Sequence, residues 1–273
     1  MRSQLPAQPQ YSQRNPPPSN RQLLTLLEIF LGFIIVIILL VSWLVNSLVW
    51  LIPPQVEQQL GGLIVPVYER LSQPTPVEDK LNQLLNRLET NLPPQSQQRD
   101  YQIIYIADQT VNALALPGDR IIIYAGLIDQ VESENELMMV LGHELGHFAH
   151  RDHLRSIGRE LLLPIALASL IGDSSWISAS AAATIGAVSK AQYSQSQENQ
   201  ADEFGLTLLQ KTYGHVAGAT DFFARLSKQQ NLDLAFLSTH PAPGKRVTQI
   251  KRLIEQRQYS IKERSPLLLG IKD

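Results

Sequence analysis

Two histidines four residues apart flank a glutamate in the run His143-Glu144-Leu145-Gly146-His147. On a helix, residues at that spacing share one face, so both imidazoles can reach a single zinc ion. Glu144 lies one step round, beside the place of a water molecule, where a carboxylate can accept a proton as that water attacks a peptide carbonyl. Further along, Glu198 and Asp202 repeat the four-residue spacing with carboxylates. Together these residues predict zinc-dependent peptide hydrolysis.

A catalytic zinc ordinarily takes three protein ligands and keeps a fourth position open. Two residues compete for the third place. His153 stands at the spacing of the metzincin pattern, but that pattern needs a glycine where this chain has His150. Without it, the helix is expected to continue through Ala149 and His150 and to leave His153 off the metal face. Glu198 is the preferred third ligand, with Asp202 one turn away to accept the free N–H of a ligand histidine. A helix that carries the motif is signalled by Ser133 followed by Glu136, a capping box, and by the apolar pair Val140-Leu141 before the histidines.

These pieces resemble the HtpX-like and CAAX-prenyl-protease-like zinc metallopeptidases of the gluzincin group. The resemblance rests on four blocks in order. They are Asn112–Gly118 leading into Ile121–Leu127, the His143–His147 motif, Glu198-Asn199-Gln200-Ala201-Asp202, and Ser238-Thr239-His240-Pro241 followed by Arg246. It implies zinc on His143, His147 and Glu198, with Asp202 behind a ligand and Asn112 positioning substrate backbone. It also implies that the His-Pro…Arg element lies near the metal. There His240 or Arg246 could stabilise the oxyanion, or His240 could fill the open metal position and hold the enzyme shut. Members with several membrane spans differ from this chain, in which one span is legible.

The elements that must position these groups leave their own marks. Ile29–Ile52 contains no charged residue, long enough to cross a bilayer, with Trp43 and Trp50 as interfacial anchors. The length of the run and the lack of an Ala-x-Ala-like site argue against a cleaved signal peptide. Arg2, Arg14 and Arg21 precede the span and only Arg70 follows closely, so the amino terminus is expected in the cytoplasm and the remainder outside an inner membrane. Residues 1–22, rich in proline and glutamine, read as a disordered tail. Residues 23–52 read as the anchor, 53–76 as a stalk punctuated by Gly61-Gly62 and Pro66, and 77–273 as the peptidase domain.

Within that domain, Thr75, Pro76 and Glu78 open a helix carrying Leu81, Leu84, Leu85, Leu88 and Leu92 on one side. Tyr101–Ala107, Val111–Leu116 and Arg120–Tyr124 are short and β-branched or aromatic, with a Pro117-Gly118-Asp119 turn. The expected fold is α+β, a mainly helical zincin-type domain with a small antiparallel sheet whose exposed edge can pair with an extended peptide, preceded by one transmembrane helix. Residues 161–190 are expected to form two buried or membrane-apposed helices.

The chain has no cysteine, which removes disulfides, thiolate metal sites and a lipid-modified amino-terminal cysteine, and its net charge of −2 gives no nucleic-acid footprint. The partners expected are the bilayer, through residues 29–52, and unfolded or misassembled envelope proteins as substrates. Two rivals remain: a zinc-containing chaperone or scaffold that does not cleave, and a prenyl-protein protease, for which one span is too few.

Overall fold

The computed structural model describes residues 17–94, 96, 99–160, 192–228, 235–267, 270 and 271. The expectation for residues 161–190 lies outside them. The chain divides into two compact units, Met1–Leu44 and Val45–Asp273. Helix α1, Asn20–Leu48, continues through a 3-10 turn at Val49–Leu51. The stretch Asn20–Leu51 has a mean hydropathy of 3.0 over its most apolar window, and leucines, isoleucines and phenylalanines along it are exposed. It is the one helix among the described residues long and apolar enough to cross a membrane.

Three strands make a sheet of order β1-β3-β2, with β1 at Gln102–Ile106, β2 at Ala113–Leu116 and β3 at Arg120–Tyr124. The sheet is mixed, which corrects the antiparallel expectation. β2 and β3 form the hairpin expected from Pro117–Asp119, while β1 pairs parallel with β3, Ile103 opposite Ile121. Gly118 and Asp119 turn that hairpin at φ of 87° and 61°. Alternate residues face opposite ways. Ile103, Tyr105, Ala115, Ile121 and Ile123 enter the main core, and Ile104, Ile106, Leu114, Leu116 and Ile122 enter a second one.

The second core is covered by helix α2, Pro54–Glu69, whose Ile64, Val65 and Tyr68 are buried. Residues 53–76 are therefore largely a packed helix rather than a stalk. Proline is tolerated at its first turn, and Gly61 lies against Gly118 so closely that an added Cβ would come within 2.6 Å of the Gly118 Cα. A glycine that reads as punctuation serves close approach instead.

Helix α3, Pro76–Glu89, starts as expected, with the Thr75 hydroxyl accepting from the Glu78 N–H. It buries Val77, Leu81, Leu84, Leu85 and Leu88, each worth about 2 kcal/mol in transfer from water. Its Asn82 Oδ1 and Glu78 Oε2 accept from the N–H groups of Ile103 and Tyr105, each at 2.9 Å, and so occupy the outer edge of β1. β2 is the other edge of the sheet.

A short helix α4, Ala125–Gln130, leads to α5, Glu134–Ala149, capped by the Ser133 hydroxyl on the Glu136 N–H and buried along almost its whole length. Residues 152–160 are also helical. Helix α6, Gln195–Tyr213, begins with a full capping box between Ser194 and Gln197 and lies against α5. The two helices meet through small residues: a Cβ on Gly142 would approach the Gly205 Cα to 3.0 Å, and one on Gly146 the Ala201 Cα to 2.7 Å. Helices α7 (Asp221–Leu226), α8 (Ala235–Thr239) and α9 (Pro243–Gln256) complete the described elements.

Candidate metal centre

The close contact of α5 and α6 sets His143, His147 and Glu198 face to face. The Nε2 atoms of the two histidines are 3.1 Å apart. Glu198 reaches across, with Oε1 at 3.4 Å from His147 Nε2 and Oε2 at 3.7 Å from His143 Nε2. From the end of α8, His240 brings Nδ1 to 3.2 Å from His143 Nε2 and 3.0 Å from Glu198 Oε1. One ligand atom from each of the four residues falls within 4.8 Å of all the others.

Each motif imidazole is held from behind. His143 Nδ1 is 2.9 Å from Asp202 Oδ1, as expected, and His147 Nδ1 is 3.1 Å from Asp152 Oδ2. A carboxylate at Nδ1 takes that nitrogen's proton in hydrogen bonding and leaves the Nε2 lone pair for a metal. Asp152 is in turn bound by Gln197 Nε2 at 2.7 Å and by Arg155 Nη1 at 2.9 Å. Tyr193 stacks flat on the His147 ring, centroids 3.7 Å apart and planes 15° apart.

Arg246 was expected to face the oxyanion. Its donors are spent elsewhere: Nε and Nη2 donate to the two Asp202 oxygens at 2.9 and 2.6 Å, and Nη1 lies 2.8 Å from Glu198 Oε2. Its guanidinium also lies over the Phe223 ring, 4.0 Å from the centroid. A buried bidentate arginine of this kind fixes carboxylates in place. Asn112 sits at the start of β2, where its Oδ1 accepts from its neighbour Ala113 N–H at 2.9 Å and from the Thr239 hydroxyl at 3.4 Å, next to His240 in the chain.

The electrostatics suit a cation. Burial disfavours charge on Glu198, but Arg246 together with His240, His143 and His147 outweighs that and holds its carboxyl well below the usual range. Burial and the nearby Arg246 bring His143 down to about 4, a neutral imidazole. Burial works against charge on His147 too, yet its bonds to Asp152 and Glu198 raise it to about 9. A metal at Nε2 takes the place of that proton. Both Glu144 oxygens and His240 Nε2 are buried without a hydrogen-bond partner. Buried polar atoms without partners are costly, so three of them around one point fit a site made for a cation and a polar reactant. The histidine-carboxylate donor set is one that zinc accepts.

His153 is not part of this cluster. Helix α5 ends at Ala149, earlier than expected, and the chain turns at Arg151 with φ 57° although no glycine is present. Arg151 is held in that turn by donating from Nη1 to the carbonyls of Val49 and Ile52. His153 then faces Glu57, Nε2 to Oε1 2.9 Å. The four ligand-distance residues, Glu144 and Arg246 are all 0% exposed, so the described structure is closed over the centre.

Two residues of the site escaped the sequence reading. Asp152 carries a weak signal, an acid within a turn and a half of a motif histidine. Tyr193 carries none, because its stacking on His147 is purely tertiary.

Residues 76–254 match the model of peptidase family M48. A putative beta-barrel assembly-enhancing protease of Vibrio cholerae is 28% identical over 70% of this chain and 42% of its own length. Metalloprotease LoiP of Escherichia coli is 30% identical over 63% of this chain and 68% of its own. The mitochondrial metalloendopeptidase OMA1 of Schizosaccharomyces pombe is 28% identical over 58% and 48%. The chain thus spans less than half the length of two of these relatives.

Proposed function

The chain belongs to peptidase family M48, and on that footing we propose that it is a membrane-anchored zinc metalloendopeptidase whose substrates are unfolded or misassembled envelope proteins. The observation that carries the reading is the convergence of His143, His147, Glu198 and His240 beside the unpartnered Glu144 carboxylate. His143, His147 and Glu198 would hold the zinc, with Asp202, Asp152 and Arg246 to orient them. When bound, zinc supplies the Lewis acidity that lets water attack a peptide carbonyl near neutral pH.

Glu144 accepts the proton of the attacking water as its oxygen bonds to the carbonyl carbon. It then passes that proton to the departing amine nitrogen as the C–N bond breaks. His240 has two uses. Its Nε2, 3.7 Å from Glu144 Oε1, can donate to the oxyanion once substrate is present. With Nδ1 beside His143 Nε2 and Glu198 Oε1, it would offer a bound ion a fourth donor and keep the centre shut.

Substrate is expected along β2, because α3 already occupies the edge of β1. Tyr124 N–H donates to Asn112 O, so by strand alternation Ala113 and Ala115 turn their N–H and C=O groups outward. The residues of β2 are buried, so an extended peptide adds there as a further strand once that edge is uncovered. Asn112 Oδ1 now stands on the first of these donors, where a substrate carbonyl would come, which supports its role toward substrate backbone.

Anchoring is supported by the exposed apolar stretch Asn20–Leu51, and its flanking arginines favour an amino terminus in the cytoplasm of an inner membrane. The envelope substrate is supported by the Vibrio cholerae relative, a putative beta-barrel assembly-enhancing protease. The test is cleavage of casein by the zinc-loaded full chain in detergent, beside Glu144→Gln. Cleavage is expected to fall by a factor of about 10² to 10⁴ in the variant. Zinc binding and casein binding without cleavage by either protein would favour the scaffold instead.

A further inference from the structure

Beside the end of the apolar stretch lies a set of cations of which the peptidase reading uses only Arg155, as a partner of Asp152. Arg151 and Arg155 both lie over the Trp50 ring, 5.8 and 5.3 Å from its centroid. Arg159 follows one helical turn after Arg155, on the same face. The helical residues 152–160 run alongside the last turns of the apolar stretch. Arg151 donates to the carbonyls of Val49 and Ile52, while a Cβ on Gly158 would meet Val45 at 3.1 Å.

Of the three guanidinium groups, only Arg155 has a carboxylate partner among the described residues, Asp152 at 2.9 Å. Arg159 donates to the neutral Ser156 hydroxyl at 3.4 Å and to Gln197 Oε1 at 3.3 Å. Burial and the nearby Arg155 lower the Arg159 guanidinium from its ordinary value, and Asp152 and Glu160 offset this only in part. Arg151 also lines a cavity of about 920 Å³ shared with Trp50, Pro54, Arg99, Asp119 and Arg120. In it Arg99 and Asp119 pair and Asp100 offsets Arg120, which leaves the cationic surplus on Arg151.

Cations short of counter-charge, grouped around a tryptophan at the end of an apolar helix, stand where the polar layer of a bilayer begins. We propose that Arg151, Arg155 and Arg159 with Trp50 form a binding site for the phosphate of an anionic phospholipid headgroup. Trp50 lies along the acyl boundary, and the guanidinium groups bind the phosphate oxygens with their free N–H donors. This rests on the reading that residues 29–52 anchor the chain in a membrane.

The test uses the full chain in a neutral detergent. It is titrated with dioctanoyl phosphatidylglycerol, dioctanoyl phosphatidylcholine or inorganic phosphate, and the unfolding midpoint is followed. Wild type is expected to be stabilised by the glycerol lipid and not by the other two additions. Arg159→Gln is expected to need about fivefold more lipid for the same shift, and the double variant Arg151→Gln/Arg159→Gln more than tenfold, at roughly fivefold per arginine near a charged surface. Arg159→Lys is expected to retain most of the response.

Equal stabilisation by the choline lipid or by phosphate alone would overturn the proposal. So would an undiminished response in Arg159→Gln. That single variant, which breaks no ion pair, decides the matter if the double variant does not fold. Extraction of membranes at alkaline pH tests the anchor separately. Release of the chain would sink the anchoring reading, whereas retention without headgroup preference would sink this one alone.

Discussion

Two buried clusters in this molecule are built from the same side-chain types, and only one has the character of a metal site. At the junction of α5, α6 and α8, three histidines, two glutamates, an aspartate and an arginine converge. Beneath α2, His153, Glu57, Arg99 and Asp119 do the same on a smaller scale. There every charge meets an opposite one. His153 Nε2 is 2.9 Å from Glu57 Oε1, Arg99 binds Glu57 and lies 3.1 Å from Asp119, and Gln58 donates to Asp119 at 2.8 Å. In the first cluster imidazole nitrogens face one another and both Glu144 oxygens stand without donors. The difference teaches that an excess of acceptors aimed at one point, rather than the mere presence of histidine and glutamate, marks a place for a cation.

The sharpest way to break that comparison is to remove one ionisable group from each cluster. Glu198→Gln is expected to lose bound zinc and to cut peptidase activity by at least about 10³-fold. His153→Gln is expected to keep its zinc in full, as read by metal analysis of the purified proteins. Loss of zinc from His153→Gln alone would reverse the assignment of the two clusters. That variant should instead cost stability, about 3 kcal/mol in denaturant unfolding, because it leaves Glu57 short of a partner in the interior.

The same pair predicts a pH dependence. Burial by itself would raise Glu57, but the hydrogen bond and charge of His153, with Arg99, bring it from 4.5 down to about 2. A depressed folded value means that the stabilisation is complete above pH 4.5 and is lost as the pH falls toward 2. The stability gap between wild type and Glu57→Gln should therefore close across that window, by about 3 kcal/mol. A gap that stays constant would show that the pair contributes nothing through ionisation.

Smaller effects sharpen the picture within the metal cluster. Asp202→Asn and Asp152→Asn should each weaken zinc by about 10- to 100-fold, by loss of the charge that orients a ligand imidazole. If only Asp202→Asn did so, His147 would need another explanation for its orientation. Smallest of all, Tyr193→Ala should loosen the His147 ring and weaken zinc by roughly threefold, with a changed visible spectrum in the cobalt-substituted protein, while Tyr193→Phe keeps the stack and both properties. Equal behaviour of the two variants would deny the stacking its role.

What could be read in advance follows from how local the cause is. The starts of α3 and α5 were legible because Thr75 and Ser133 cap helices with residues three positions on. The motif histidines and the Glu198–Asp202 pair were legible because helical spacing alone puts each pair on one face. α2 was misread as a stalk because the reason for Gly61, its contact with Gly118, lies in a different part of the chain. The parallel β1 was missed for the same reason, since a strand's own residues do not say which neighbour it joins. His153 was set aside on a wrong premise: the helix does break there, and the histidine faces Glu57, a residue of the supposed stalk.

The bare backbone contact between α5 and α6 has one more consequence. Gly142, Gly146, Ala201 and Gly205 are the places where the two helices touch, and the zinc donors are carried on the same turns. The separation of the helices therefore acts as the gauge of the cage. A single methyl wedged in at Gly146 would leave the spacing within each helix intact while carrying Glu198 away from both imidazoles. Two histidines would keep their grip on a cation that the acid no longer reached.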